Sequence, residues 1–209
     1  MTFAVIVLTI NATAQHKQFQ FGLKIAPEID WIQLNSDELY GSDTKFSFNW
    51  GFFGSMYFVE NYGITSGFNV FSMKGDYSYK INEDPANAVV TKIDVKYIEI
   101  PLTLTMRTDQ IGKMRIFGKI GYGFGVLTSE KNKIEYKGTS DVKLESPDFH
   151  NIRNSLIIGL GVEYNVFKSS CLTAAVVFND NLTNVIKTND VIKHDIKLNT
   201  IYLEVGFLF

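Results

Sequence analysis

Eight charged side chains fall on one parity of an otherwise alternating sequence: Lys24, Glu28, Glu99, Arg107, Arg115, Lys119, Glu163 and Glu204. Four cations stand against four carboxylates, so the set neutralises itself. Such a set can do two kinds of chemistry. Paired carboxylates such as Glu99 and Glu163 can act as general acid and base. Alternating cations and anions can instead form ion pairs where water is scarce, because an unpaired charge there is expensive. The neighbours favour the second. Catalysis needs a geometric set, and no strand-borne histidine shares a face with a serine and an acid. The expectation is a structural network and no enzyme.

The other reactive residue types carry little. His16, His150 and His194 are scattered, without metal-ligand spacing. Loop acids Asp37, Glu38, Asp43, Glu83, Asp84, Asp141, Glu145 and Asp148 lack the spacing of a calcium loop. The run "GKIGYGFG" lies within a strand with no helix after it, so it is no nucleotide fingerprint. Cys171 is the one cysteine and makes no internal disulfide. No cofactor and no metal are expected. A net charge of −2 offers no basic field for nucleic acid.

The elements that must position these charges are strands. Period-two alternation runs almost throughout and predicts eight of them, near 18–32, 45–59, 63–79, 91–107, 113–129, 152–167, 170–181 and 197–209. The connections alternate in length. "ENYG", "TDQIGK" and "KSS" are tight, whereas the other links are long and polar, the longest spanning residues 131–152. Short turns on one rim and long loops on the other are the plan of an outer-membrane up-and-down barrel. The expected fold is therefore all-β, an eight-stranded antiparallel transmembrane barrel.

Parity decides which face is inside. Phe46, Phe48, Trp50, Phe52, Met56 and Phe58 share one face, and Ile98, Ile100, Leu102, Leu104 and Met106 another. The charges fall on the opposite parity, with Gly22, Gly51, Gly67, Gly121, Gly123, Gly125, Gly159, Gly161 and Gly206. Small residues belong in the crowded interior of a small barrel. The large aromatic set would not fit there. So the charges face the lumen and the apolar parity faces lipid. The last strand, "TIYLEVGFLF", puts Ile201 through Phe209 outward and Glu204 inward, within reach of Lys24. Glu99 is expected to pair with Lys119 across the hairpin of the fourth and fifth strands. Pro101 removes a ladder donor and suggests a bulge beside Glu99.

The N-terminus reads as an export signal. "MTFAVIVLTINATAQ" is apolar from Phe3 to Ile10 and closes on Ala12-Thr13-Ala14, a small-residue cleavage pattern lacking only its basic lead. The alternative is a buried first strand. The expected organisation is a signal peptide over residues 1–14 and one barrel domain over 15–209.

The stretches "DVKYIEIPLTLTMR" and "IFGKIGYGFGVL", with "FGLKIAPEI", "GLGVEYNV" and a final aromatic, resemble the PorT-like outer-membrane β-barrel family of Bacteroidetes-type bacteria. The resemblance spans the mature chain. It implies an eight-strand barrel in the outer membrane, in contact with outer membrane lipid, with Phe209 presented to the barrel-assembly machinery. The family's namesake takes part in type nine secretion, but fold does not transfer a role. The reading is a plugged barrel with a structural or interaction role through its outer loops, chiefly 131–152 and 182–196. Two alternatives stay open: an accessory of a type nine secretion apparatus, working with secretion or envelope proteins, and a barrel binding a small apolar ligand. A wide porin would require more strands.

Overall fold

Alternating side chains along nearly every strand leave one face apolar and one polar, and the backbone can satisfy all its hydrogen bonds only if the sheet closes. The computed structural model describes residues 19–34, 39–41, 44–80, 88–136, 148–167, 170–187 and 196–209. The strands are β1 (Phe19–Leu34), β2 (Leu39–Gly41), β3 (Lys45–Val59), β4 (Tyr62–Lys80), β5 (Ala88–Arg107), β6 (Met114–Tyr136), β7 (Ile152–Phe167), β8 (Ser170–Asn181) and β9 (Ile196–Leu208). No helix occurs among the described residues. Every pairing is antiparallel, β1 joins β9 and β4 joins β5, so eight strands close into a barrel. The short β2 is an addition, laid against the end of β4 with Leu39 opposite Tyr79. The expected signal peptide lies outside the described residues.

All eight expected strands are present, and β6 extends farthest beyond its expected end. β6 continues through "KNKIEY", read from its polarity as the start of the long loop. Its backbone stays laddered to β5 up to Val89 opposite Tyr136. Polarity there reports only that the strand faces water.

The apolar parity points outward. Phe46 is 71% exposed and Leu160 is 66% exposed, and Ile98, Ile100, Leu102, Leu104 and Met106 are all exposed. An apolar belt of this kind is the surface that a transmembrane barrel turns to lipid. In β4, Phe71 and Met73 are fully buried inside and Phe68 and Val70 lie on the outer face.

The interior changes character in its upper part, toward the long loops. Polar and charged residues fill the half nearer the termini. Above Asn69 on β4 and Glu99 on β5, Phe71, Met73 and Val95 join Leu198 in an apolar core, while Ile157 and Val177 lie lower, among the polar side chains. Phe149, Val185 and Ile186 from the loops join it. Two loop segments are stitched together over it: His150 N donates to Val185 O at 2.9 Å and Lys187 N to Asp148 O at 2.8 Å. The lumen is thus polar and charged in its lower part, with an apolar cap toward the loops. Above the lipid belt no strand needs a wet interior, and apolar burial stabilises the rim.

Both strand prolines interrupt a ladder without shifting it. The β4–β5 pairing passes from Ser66–Leu102 to Asn69–Glu99 in the same register, skipping the positions around Pro101. Ser66 Oγ donates to the Pro101 carbonyl at 2.9 Å. The expected bulge beside Glu99 is therefore absent; the register shift of β5 against β6 lies at Lys96/Tyr97. Pro27 does the same at the β1–β9 seam, between Ile25–Val205 and Glu28–Tyr202.

Gly121, like Gly51 and Gly67, sits where a neighbouring backbone leaves no room for a side chain. It lies opposite Thr103, and a Cβ on it would press on the Leu102 carbonyl and stand 2.5 Å from Thr103 Cα. At Gly118 the nearest atom would be the Gly159 carbonyl oxygen at 3.8 Å. Gly121→Ala is expected to lower stability by about 1–3 kcal/mol through overpacking. Gly118→Ala should stay within about 0.5 kcal/mol. Urea midpoints in detergent micelles compare the two, and equal midpoints would refute the close approach.

Candidate functional site

The polar interior is built in three tiers because inward residues recur every second position and adjacent strands offer them at matched heights. Nearest the termini, Arg107 Nη1 stands 3.9 Å from Glu163 Oε2. Its guanidinium lies 3.6 Å from the Tyr57 ring centroid, and its Nε donates to the Glu60 carbonyl at 3.1 Å. Arg115 faces Glu163 across the β6–β7 ladder. It is partly exposed and makes no ion pair among the described residues.

The middle tier is a triad. Glu204 accepts from Lys24 Nζ at 2.8 Å on one oxygen and from Lys119 Nζ at 2.7 Å on the other. All three side chains are at least nine-tenths buried. The expected pair of Glu99 with Lys119 does not form. The register sets Lys119 opposite Thr105, six residues down β5 from Glu99. At ~3.3 Å per residue that is roughly 20 Å, beyond any lysine's reach.

Glu99 belongs to the upper tier. Its carboxylate takes a very short hydrogen bond from Arg153 Nη1 and one from Ser155 Oγ at 2.9 Å. Arg153 Nη2 also donates to Asn179 Oδ1 at 2.7 Å. Beside it, Glu28 accepts from Asn49 Nδ2 at 2.6 Å and from Ser47 Oγ at 3.0 Å. Ser47 also contacts Asp30, so two carboxylates share one hydroxyl. The Lys74 backbone N–H donates to Asp30 at 2.8 Å. Gly123 makes room for this tier: a Cβ there would lie 2.6 Å from Glu99 Cδ.

Sequence reading missed Arg153, Asp30, Ser47, Ser155 and Asn179. Arg153 and Asp30 share the parity of Glu163 and Glu28 and were legible by the same rule. They sit near predicted strand ends, where loop and lumen look alike. Among the described residues no group of three or more histidine, cysteine, aspartate or glutamate side chains could hold a metal ion. Among the described residues the tiers contain hydroxyls and carboxylates but no histidine.

A closed antiparallel barrel with an apolar belt and a polar interior is a form shared by many membrane proteins, and the sequence narrows it. Residues 11–187 match the model of the family described as outer membrane protein beta-barrel domain. The chain belongs to this family. As an outer membrane barrel, it is located in the outer membrane. Its fold is similar to the crystal structure of Neisserial surface protein A, with a TM-score of 0.54, 12% identity, and coverage of 90% of this chain and 95% of that one. It is also similar to the outer membrane protein OprG from Pseudomonas aeruginosa, with a TM-score of 0.56, 15% identity, and coverage of 93% and 97%. At such identities the likeness is one of fold alone. No curated protein matches the sequence.

Proposed function

We propose that this outer membrane barrel is a plugged, non-enzymatic protein that works as a structural or interaction element through its loop-side rim. One observation supports the reading: among the described residues, inward side chains are buried from Arg107 and Glu163 near the termini to Phe149 and Ile186 near the loops. Polar tiers that hold Lys24, Glu28, Glu99, Arg107, Arg115, Lys119, Glu163 and Glu204 lie below, with ion pairs from Lys24 and Lys119 to Glu204, Arg107 to Glu163 and Arg153 to Glu99, and Phe149, Val185 and Ile186 lie above them. An eight-strand lumen is just wide enough for its own side chains. What the protein presents to partners is then its rim. Residues 1–14 act as the export signal, and Phe209 is the aromatic end read by the barrel-assembly machinery.

Planar-bilayer recording tests the plug. Purified protein is expected to give no stable conductance steps, and large regular steps would overturn the reading. Crosslinking in the native membrane followed by mass spectrometry tests the rim, with envelope proteins expected at stoichiometric yield. The PorT-like resemblance extends the proposal to a place beside a type nine secretion apparatus, and recovery of secretion components would decide for it. The apolar upper interior favours a second reading, uptake of a small apolar ligand. Phe71, Met73 and Leu198 already pack against one another there. A ligand carried through purification from the native membrane would select that reading instead.

A further inference from the structure

Just above the apolar belt, the outer face of β4, β5 and β6 changes chemistry within one step. On β5 the outward residues from Met106 to Ile98 are large and apolar. The next outward positions are Lys96, Asp94 and Lys92.

The bulge at Lys96/Tyr97 matters here. Tyr97 lies opposite Leu127 and Lys96 opposite Ser129, so Thr128 is the extra residue. The insertion reverses the parity of β6 above it. Val126 faces out below the bulge, and Ser129, Lys131 and Lys133 face out above it. A regular strand would have turned both lysines inward.

The register assembles cross-strand rows on this outward face. Ser72, Lys96 and Ser129 form the first, Lys74, Asp94 and Lys131 the second, and Asp76, Lys92 and Lys133 the third. The third row is ion-paired. Lys45 holds Asp76 at 2.9 Å, and Lys92 and Lys133 hold Glu135 at 2.7 and 3.1 Å. These hydrogen bonds, the one from Lys92 first, keep the Glu135 carboxyl below the usual carboxylate range. Lys74, Lys96 and Lys131 are exposed and make no ion pair among the described residues. Asp94 is the lone carboxylate between them.

Height places these lysines. A strand tilted by about 40° rises about 2.5 Å per residue along the membrane normal. Lys96 is then about 5 Å above Ile98, and the second row about 10 Å above it. A bilayer has a hydrocarbon core of ~30 Å within ~40–45 Å overall, so headgroups occupy the next ~5–8 Å. Long lysine stems can lie along the belt while the ammonium groups reach that layer. Lys74 and Lys131, two strands apart, are separated by roughly 10 Å of backbone.

We propose that Lys74, Lys96 and Lys131 form a lateral docking face for phosphate-bearing lipid headgroups in the leaflet on the loop side of the barrel. Charge complementarity selects this occupant: unpaired cations sit at headgroup depth, directly over a lipid-facing surface, on a rigid three-strand wall. A basic cluster near the membrane surface gains about 1 kcal/mol per lysine from anionic lipid.

The test uses the full chain in nanodiscs of phosphatidylcholine doped with lipid A, a glycolipid bearing two phosphates. Native mass spectrometry counts the retained lipid. Wild type is expected to enrich lipid A over phosphatidylcholine. The triple variant Lys74→Gln/Lys96→Gln/Lys131→Gln should lose about fivefold of that enrichment per lysine. Lys113→Gln, in the turn on the opposite rim, should not change it. Equal retention by wild type and the triple variant overturns the proposal. So does equal retention by wild type of lipid A and its dephosphorylated form, a comparison that needs no variant to fold.

Discussion

Glu204→Ala is expected to lower the stability of the barrel by about 3–5 kcal/mol, because it leaves two buried ammonium groups without their shared anion. Lys24 and Lys119 come from β1 and β6, and each holds a separate oxygen of Glu204. Their mutual repulsion is offset only by that carboxylate. The size of the loss depends on burial. The same pair on a wet surface would be worth ~0–1 kcal/mol. The measurement is the urea midpoint of the protein folded in detergent micelles, followed by its gel mobility. The companion variant Lys24→Met/Lys119→Met/Glu204→Leu removes all three charges and should return close to wild type, since an apolar replacement carries no desolvation cost. A wild-type midpoint for Glu204→Ala would mean that water reaches this tier.

Arg153→Met should be comparably damaging, by about 3–5 kcal/mol, for the opposite reason. It leaves anions unpaired. Arg153 is the cation that bonds Glu99, and Glu28 and Asp30 lie in the same tier. Without the guanidinium, Glu99 keeps Ser155 at 2.9 Å and distant contacts to Asn179 at 3.3 and 3.4 Å. Methionine retains much of the volume beside Phe71, whose ring centroid lies 5.2 Å from the guanidinium carbon, so packing loss is a minor part of the effect. Adding Glu99→Gln to Arg153→Met should restore most of the stability. If the double variant is no better than the single one, the guanidinium acts by filling space and not by pairing charge.

These expectations come from two kinds of information. Alternation placed Lys24, Glu28, Glu99 and Glu204 inside and Phe46, Ile100 and Phe209 outside before any coordinates, because side chains on a strand have only two directions. The difference in loop length gave the closed barrel its up-and-down order. Charge balance told that the inward groups must pair, and for Lys24 with Glu204 proximity at the closing seam was also readable.

The choice of partners was not. Pairing in a barrel depends on register, and register sums small offsets around the whole ring. Lys119 therefore meets Glu204 across the lumen and not Glu99 on the neighbouring strand. The bulge at Thr128 is likewise invisible in "VLTSEKNKIEY", yet it decides whether Lys131 and Lys133 face outward or into the lumen. The apolar cap also escaped the reading, because Phe149, Val185 and Ile186 come from segments that read as loops and meet only once the barrel has closed over them. The sequence by itself determined the element type, the inward set and the membrane. The tertiary structure alone decided who pairs with whom and what seals the top, since contacts across a closed sheet depend on stagger and depth, which no local pattern encodes.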